Sequence, residues 1–155
     1  MKKIILGILL GLFIASGIWS FIYERIINNL IDENQKKQEF YDVFYKWLQK
    51  KGKMDGIPAY FIRNNYKKIA VYGMKEIGQL LCDEIMASDE VSLKYAIDTN
   101  TKINYKNVPI ISPSEDLDDV DVIVVTAVHY YNEIEDCLSK KVTCPIISIE
   151  DIVYS

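Results

Sequence analysis

Residues that hold metals or staple chains together are scarce in this sequence. The 155 residues include one histidine, His129, and three cysteines, Cys82, Cys137 and Cys144. A single imidazole excludes a histidine-rich metal centre, and the cysteines match no metal-ligand spacing. Three thiols cannot all pair with one another, so buried, reduced cysteines are expected, which favours a reducing compartment. Familiar catalytic signatures are missing as well. There is no G-x-S-x-G elbow, and no tyrosine has a lysine four residues later, which excludes the Tyr-x-x-x-Lys pair of short-chain reductases. The chain has no internal repeat and no low-complexity tract. Its net charge is −4, and no nucleic-acid partner is expected.

Charge is also absent from one long run. Residues Ile4 to Tyr23, IILGILLGLFIASGIWSFIY, are 20 positions without a charged side chain, about the length that crosses a bilayer as a helix. Trp19, Phe21 and Tyr23 crowd one end, where aromatic residues favour the interface. Lys2, Lys3 and the small residues Ala15-Ser16-Gly17 also fit a cleaved signal peptide, but the apolar run continues past that site. A retained single-pass anchor over residues 1–23, with the lipid bilayer as partner through 4–23, is the expectation. Flanking charge is nearly balanced between Lys2 and Lys3 on one side and Arg25, Lys36 and Lys37 on the other. Farther on, 36–68 holds nine basic and three acidic residues, whereas 76–155 holds 16 acidic residues and five lysines. A basic stretch beside the membrane with an acidic globule beyond it suits a cytoplasmic face. The plainer reading is that these lysines solvate a helix.

Residues 24–66 read as an amphipathic helical linker. Phe40, Val43, Phe44, Trp47 and Leu48 recur at helical spacing, and Gly52 is placed to stop the helix. A short second helix is expected from Pro58, a residue suited to a first helical turn, ending at Asn64-Asn65. This pair is expected to dock onto the following domain or onto a partner helix.

From Lys67 the pattern alternates. Strands are expected at 69–72, 93–97, 108–111, 120–126 and 145–149, with helices near 76–86, 114–118, 131–139 and 150–153. Ser112 and Glu115 have capping-box spacing. Unbroken apolar runs such as VIVV belong to strands covered on both faces, and strands alternating with short helices imply a parallel sheet with right-handed crossovers. The fold class is therefore α/β, a five-stranded parallel Rossmann-like sheet over 67–155, preceded by a transmembrane helix and a short helical segment.

The segment IAVYGMKEIGQLL, residues 69–81, reads as a strand entering a glycine turn and a helix. A dinucleotide fingerprint places glycines at 73, 75 and 78; Gly73 and Gly78 are present, and Lys75 takes the middle place. Gly73 suits the tight turn, Gly78 suits close helix–sheet packing, and the middle position normally lets backbone approach a pyrophosphate. The Lys75 ammonium is placed either to meet a phosphate at the helix N-terminus or to point into water and narrow the pocket. A P-loop fails, because Gln79-Leu80 stands where Lys-Ser/Thr is required. Asp98 lies 20 residues beyond Gly78, where an acid bonds ribose hydroxyls; Asp98-Thr99-Asn100 also fits plain turn chemistry. Thr126, His129 and Tyr130 lie at the end of the fourth strand, beside the place where strand order reverses and ligands bind. His129 is a weak acid–base candidate with no evident carboxylate partner in the sequence.

Together, KIAVYGMKEIGQLLCDEI, KYAIDTN, DVDVIVVTAVHYYNEIEDCL and PIISIEDIV resemble the Rossmann-like domains of bacterial surface-polysaccharide and nucleotide-sugar proteins. Such domains precede sugar epimerases, dehydratases and acyltransferases, or accompany glycosyltransferases. The resemblance covers about residues 66–155. It implies a nucleotide or nucleotide-sugar ligand, carries the binding role onto Gly73, Gly78 and Asp98, and favours a cytosolic face; the expected membrane anchor lies outside it. Lys75 departs from the family's fuller glycine turn. The expected function is a membrane-anchored module that binds a nucleotide or nucleotide-sugar, accessory to a glycan-assembly protein. An NAD-dependent sugar-modifying subunit completed by a partner chain, and a scaffold without ligand, are the alternatives. With no substrate domain after the last strand, the chain is not expected to be a complete enzyme alone.

Overall fold

The structure is a computed structural model that describes the backbone of residues 2–51 and 56–155 and the side chains of 17–51 and 56–155. The stop expected at Gly52 lies outside the described residues. The chain divides into two units, Met1–Gln38 and Glu39–Ser155. The first helix, α1 (Lys2–Lys51), belongs partly to each.

In the first unit the described part of α1 carries exposed apolar residues, among them Ile18, Trp19, Phe21, Ile22, Tyr23, Ile26, Leu30 and Ile31. Farther along, Asp32 and Lys36 form an ion pair at 2.7 Å, and Glu33 and Lys37 one at 3.9 Å. Both are i,i+4 pairs with the acid on the N-terminal side, the favourable order on a helix. Among the described residues no helix is long and apolar enough to cross a membrane. Most of the run expected as an anchor, 4–16, falls outside the residues whose side chains are described.

The second unit is α/β. After α2 (Ile57–Arg63) come β1 (Lys68–Tyr72), α3 (Glu76–Met86), β2 (Ser92–Ile97), β3 (Ile110–Ile111) and β4 (Val122–Val125). A single 3-10 turn (Val128–Tyr130) then leads into α4 (Tyr131–Leu138), β5 (Ile146–Ser148) and α5 (Ile149–Val153). The five strands form one sheet in the order β3-β2-β1-β4-β5, and every pairing is parallel. Order therefore reverses between β1 and β4, which are paired from Ile69↔Val122 to Tyr72↔Val125.

Side-chain alternation along the strands builds a core on each face. Ile69, Val71, Val122 and Val124 point to one face, where they meet Ile77, Leu81, Cys82 and Ile85 of α3 and Ile149, Ile152 and Val153 of α5. Ala70, Tyr95, Ile97 and Ile123 point to the other, against Leu138 of α4. This two-sided burial is why the strand sequences are almost wholly apolar.

The helical pair docks onto this domain. Val43, Trp47, Ile57 and Phe61 are all buried in the first core. Phe40 and Leu48, expected on the same apolar face, stay exposed, because the contacted strip of α1 is narrower than the apolar stripe. Polar bonds fix the seam. Trp47 Nε1 donates to Glu84 at 2.9 Å, and buried Lys50 donates to the Ile152 and Ser155 carbonyls and to Ser155 Oγ.

One expected helix is absent. Residues 114–118 form a turn, a bend and a run without regular secondary structure. The hydrogen bonds of a helix start are nonetheless present: Ser112 N donates to Glu115 Oε1, and Ser114 N to Ser112 Oγ. No apolar period follows, since Asp116, Asp118 and Asp119 occupy the next turn, so the cap closes a turn that never propagates.

Because Phe61 is fully buried between helix and sheet while neighbouring Ile62 is 42% exposed, the two should respond differently to truncation. Urea denaturation of the detergent-solubilised chain is expected to show a loss of about 3–5 kcal/mol for Phe61→Ala and within about 0.5 kcal/mol for Ile62→Ala.

Candidate functional site

The seven residues singled out in the sequence all follow the carboxyl ends of β1, β2 and β4. They form two groups, a loop group and a cleft group.

The loop group is built on a close approach between β1 and α3. Gly73 has φ +94°, a left-handed backbone that a residue with a Cβ seldom adopts. A Cβ on Gly78 would come within 1.8 Å of the Gly73 carbonyl oxygen, so only glycine lets α3 start this near the strand. Lys75, the N-cap residue of α3, is exposed with an ordinary extended backbone (φ −76°, ψ −168°). Between them Met74 turns its side chain into the core, 99% buried, with its sulfur 3.8 Å from Cys82 Sγ. Burial pushes the Cys82 thiol up to about 12, which makes it a packing residue without nucleophilic character.

Asp98 and Thr126 hold this turn from either side. Asp98 Oδ2 accepts from Met74 N at 2.8 Å, and Oδ1 accepts from Asn100 N at 2.8 Å. The two readings of Asp98, ligand acid and turn former, thus concern one carboxylate that already does the second job. Each oxygen keeps another lone pair for a hydroxyl donor. The Thr126 hydroxyl shares its proton between the Tyr72 and Gly73 carbonyls, at 2.9 and 3.0 Å, and so ties the end of β4 to the glycine turn. Gln79 Nε2 donates to the Met74 carbonyl at 3.0 Å.

The cleft group lies two residues past Thr126. A cleft of about 310 Å³ is lined by Glu39, Val128, His129, Tyr131, Asn132, Ser148 and Glu150. His129 Nδ1 lies 3.3 Å from the Glu39 carboxylate, and its ring meets that of Tyr130 edge to face, with centroids 5.1 Å apart. Tyr130 itself is 48% exposed and does not line the cleft. His129 thus has a carboxylate partner after all. It is supplied by α1 from 90 positions upstream, a pairing that no local spacing reveals; the only trace in the sequence is the apolar stripe that starts at Phe40 and brings α1 to the domain.

Ser148 begins α5 with a reciprocal cap. Its Oγ accepts from Glu150 N, and its own N–H donates to Asp151 Oδ2. The cap directs Glu150 toward the cleft. Burial, then the nearby Glu39 carboxylate, then Asp151 raise the Glu150 pKa above its ordinary value. The Tyr131 hydroxyl donates to the Ile146 carbonyl and to Glu135, and burial first, then that bond, hold its pKa up at about 12. Among the described residues no group of three or more acidic, cysteine or histidine side chains is arranged to hold a metal.

A carboxyl whose pKa is higher in the folded than in the unfolded chain opposes folding when ionised. That penalty is full above the folded pKa of Glu150, fades as pH falls through it, and is gone below the ordinary value of 4.5. Glu150→Gln is therefore expected to stabilise the protein at neutral pH, with the gain vanishing at acid pH, as read from denaturation midpoints across a pH series.

Comparison with known proteins leaves the site to be read from its own chemistry: no family model, no curated protein and no solved structure matches the chain.

Proposed function

We propose that residues 39–155 bind a nucleotide or nucleotide-sugar along the carboxyl edge of the sheet, and that the chain is an accessory module of surface-glycan assembly. The observation that carries this reading is the glycine turn at the point where strand order reverses. Gly73 is left-handed there, Gly78 packs onto its carbonyl, and ligands of such sheets bind outside the strand ends at that reversal. Asp98 stands on one side of the turn with lone pairs suited to ribose hydroxyls. The first turn of α3 offers backbone N–H groups and the positive end of the helix dipole to a phosphate. Glu76 also sits in that first turn and competes for the same positive end, so the exposed Lys75 ammonium is the group that tips the balance toward an anion.

The test is a calorimetric and thermal-shift panel on the whole chain in detergent, with NAD, NADP, UDP- and CDP-sugars and nucleoside monophosphates. A ligand at 100 times its dissociation constant adds roughly 2.7 kcal/mol of stability. Measured against each variant's own baseline, Asp98→Asn and Lys75→Gln should each reduce that increment. A flat panel on folded protein would sink the nucleotide reading.

The Glu39–His129 pair favours a second reading, a proton-transferring, NAD-dependent subunit completed by another chain. It requires turnover with that partner, lost in His129→Ala.

The anchor belongs to the same proposal. Residues 4–23 remain long and apolar enough by sequence to span a bilayer, which would hold the module beside a lipid-linked assembly system. After membrane fractionation the full chain should stay in the pellet through an alkaline wash, and a chain lacking residues 1–23 should leave it. Release of the full chain by the wash would refute the anchor.

A further inference from the structure

The cleft beside the glycine turn has a charge character opposite to that of the turn itself. Lys75 stands exposed at the start of α3, whereas the cleft presents Glu39 and Glu150, with neither lysine nor arginine in its lining. We propose that this cleft receives the group carried on the terminal phosphate of the nucleotide, and that it selects neutral or ammonium-bearing sugars against acidic ones. The inference rests on the nucleotide reading above and adds a ligand class to it.

Reach supports the assignment. A ligand with its ribose at Asp98 and its phosphates at the glycine turn runs on toward β4 and β5. Thr126, whose hydroxyl bonds the Gly73 carbonyl, is two peptide units from Val128 on the cleft wall, a separation of at most about 7 Å. A substituent on the second phosphate spans that gap. Size agrees too, since about 310 Å³ suits one sugar ring, at the lower end of ligand clefts.

Chemistry decides which sugar. Carboxylates are acceptors only, and each offers two oxygens to hydroxyl or ammonium donors. Asn132 adds an amide with donors and an acceptor, and Tyr131 an aromatic wall whose hydroxyl is already committed to Ile146 and Glu135. Glu39 is close enough to Glu150 to disfavour the charge on Glu150. A third carboxylate brought into this space, as on a uronic acid, adds like charge where desolvation has already weakened screening. The one basic group in the lining, His129, lies against Glu39. An amino sugar brings the opposite charge, and a neutral hexose brings hydroxyl donors.

The test uses full-length protein in detergent micelles. UDP, dTDP, GDP and CDP are titrated first, and the diphosphate that binds is then compared as its hexose, 2-amino-hexose and hexuronate conjugates. The hexose and amino-hexose conjugates should bind at least as tightly as the bare diphosphate, and the hexuronate roughly tenfold or more weaker than the hexose. Glu150→Gln should narrow the hexose–hexuronate gap by about threefold or more, and Glu39→Gln serves the same purpose if that variant fails to fold. A hexuronate that binds as well as the hexose, or a gap untouched by the folded variant, overturns the selectivity while the nucleotide site stands. If no diphosphate binds, this inference is overturned, and the nucleotide reading falls with it only if the wider panel of monophosphates and dinucleotides is flat as well.

Discussion

The contact between Gly78 and the Gly73 carbonyl governs the arrangement of the whole carboxyl edge. Any side chain at 78 would put a carbon 1.8 Å from that oxygen, so α3 would have to tilt or slide outward. Its start is also where Met74 enters the core, where Gln79 reaches back to the Met74 carbonyl, and where Asp98 meets Met74 N. Thr126 donates to the same Gly73 carbonyl and lies 3.3 Å from the place a Cβ at 78 would occupy. One missing methyl group therefore sets the distance between β1, α3 and the end of β4. The 3-10 turn that carries His129 begins two residues later, so the cleft inherits its position from the same contact.

A second constraint is the need to cover the first face of the sheet. α3 and α5 contribute to that face, but Val43, Trp47, Ile57 and Phe61 complete it. The last turns of α1 are consequently part of the globule. That has a chemical result, because the turn of α1 that starts this burial also carries Glu39, the partner of His129. Packing and site chemistry are coupled through a single helix.

Much of this was legible in the sequence, for identifiable reasons. Strands buried on both faces leave uninterrupted apolar runs, and all five expected strands appear within two residues at each end. The third, expected at 108–111, shrinks to Ile110–Ile111, because Lys106 and Asn107 adopt left-handed backbone and hold Val108 in a turn. The turn glycines were readable because their spacing reflects steric demands on the backbone. The helix expected at 114–118 was misread because a cap is a local signal, whereas helix growth needs an apolar face that the aspartates do not provide. Glu39 was unreadable for a different reason. Its meeting with His129 depends on how α1 lies on the sheet, and no local pattern in either segment encodes that. Glu150 stood one residue past the strand expected at 145–149, yet its place in the cleft depends on the Ser148 cap that aims it.

The carboxyl edge thus has two chemistries joined at Thr126. On one side are backbone donors, a helix N-terminus and Lys75; on the other are two carboxylates and a histidine. The two sides suit a ligand that is itself bipolar, anionic in the middle and rich in hydroxyl or ammonium donors at one end. On the reading proposed above, a dinucleotide would fit this less well than a nucleotide-sugar, because its second half would carry another nucleoside, larger than one sugar ring, into a cleft of about 310 Å³. Lys75 follows the same logic. Where a second glycine would let a pyrophosphate settle onto backbone, on the proposed reading a lysine would hold the phosphate farther from the backbone and attract it by charge instead. On the reading proposed above, discrimination would fall to the groups at either end, Asp98 toward a ribose and Glu150 toward a sugar.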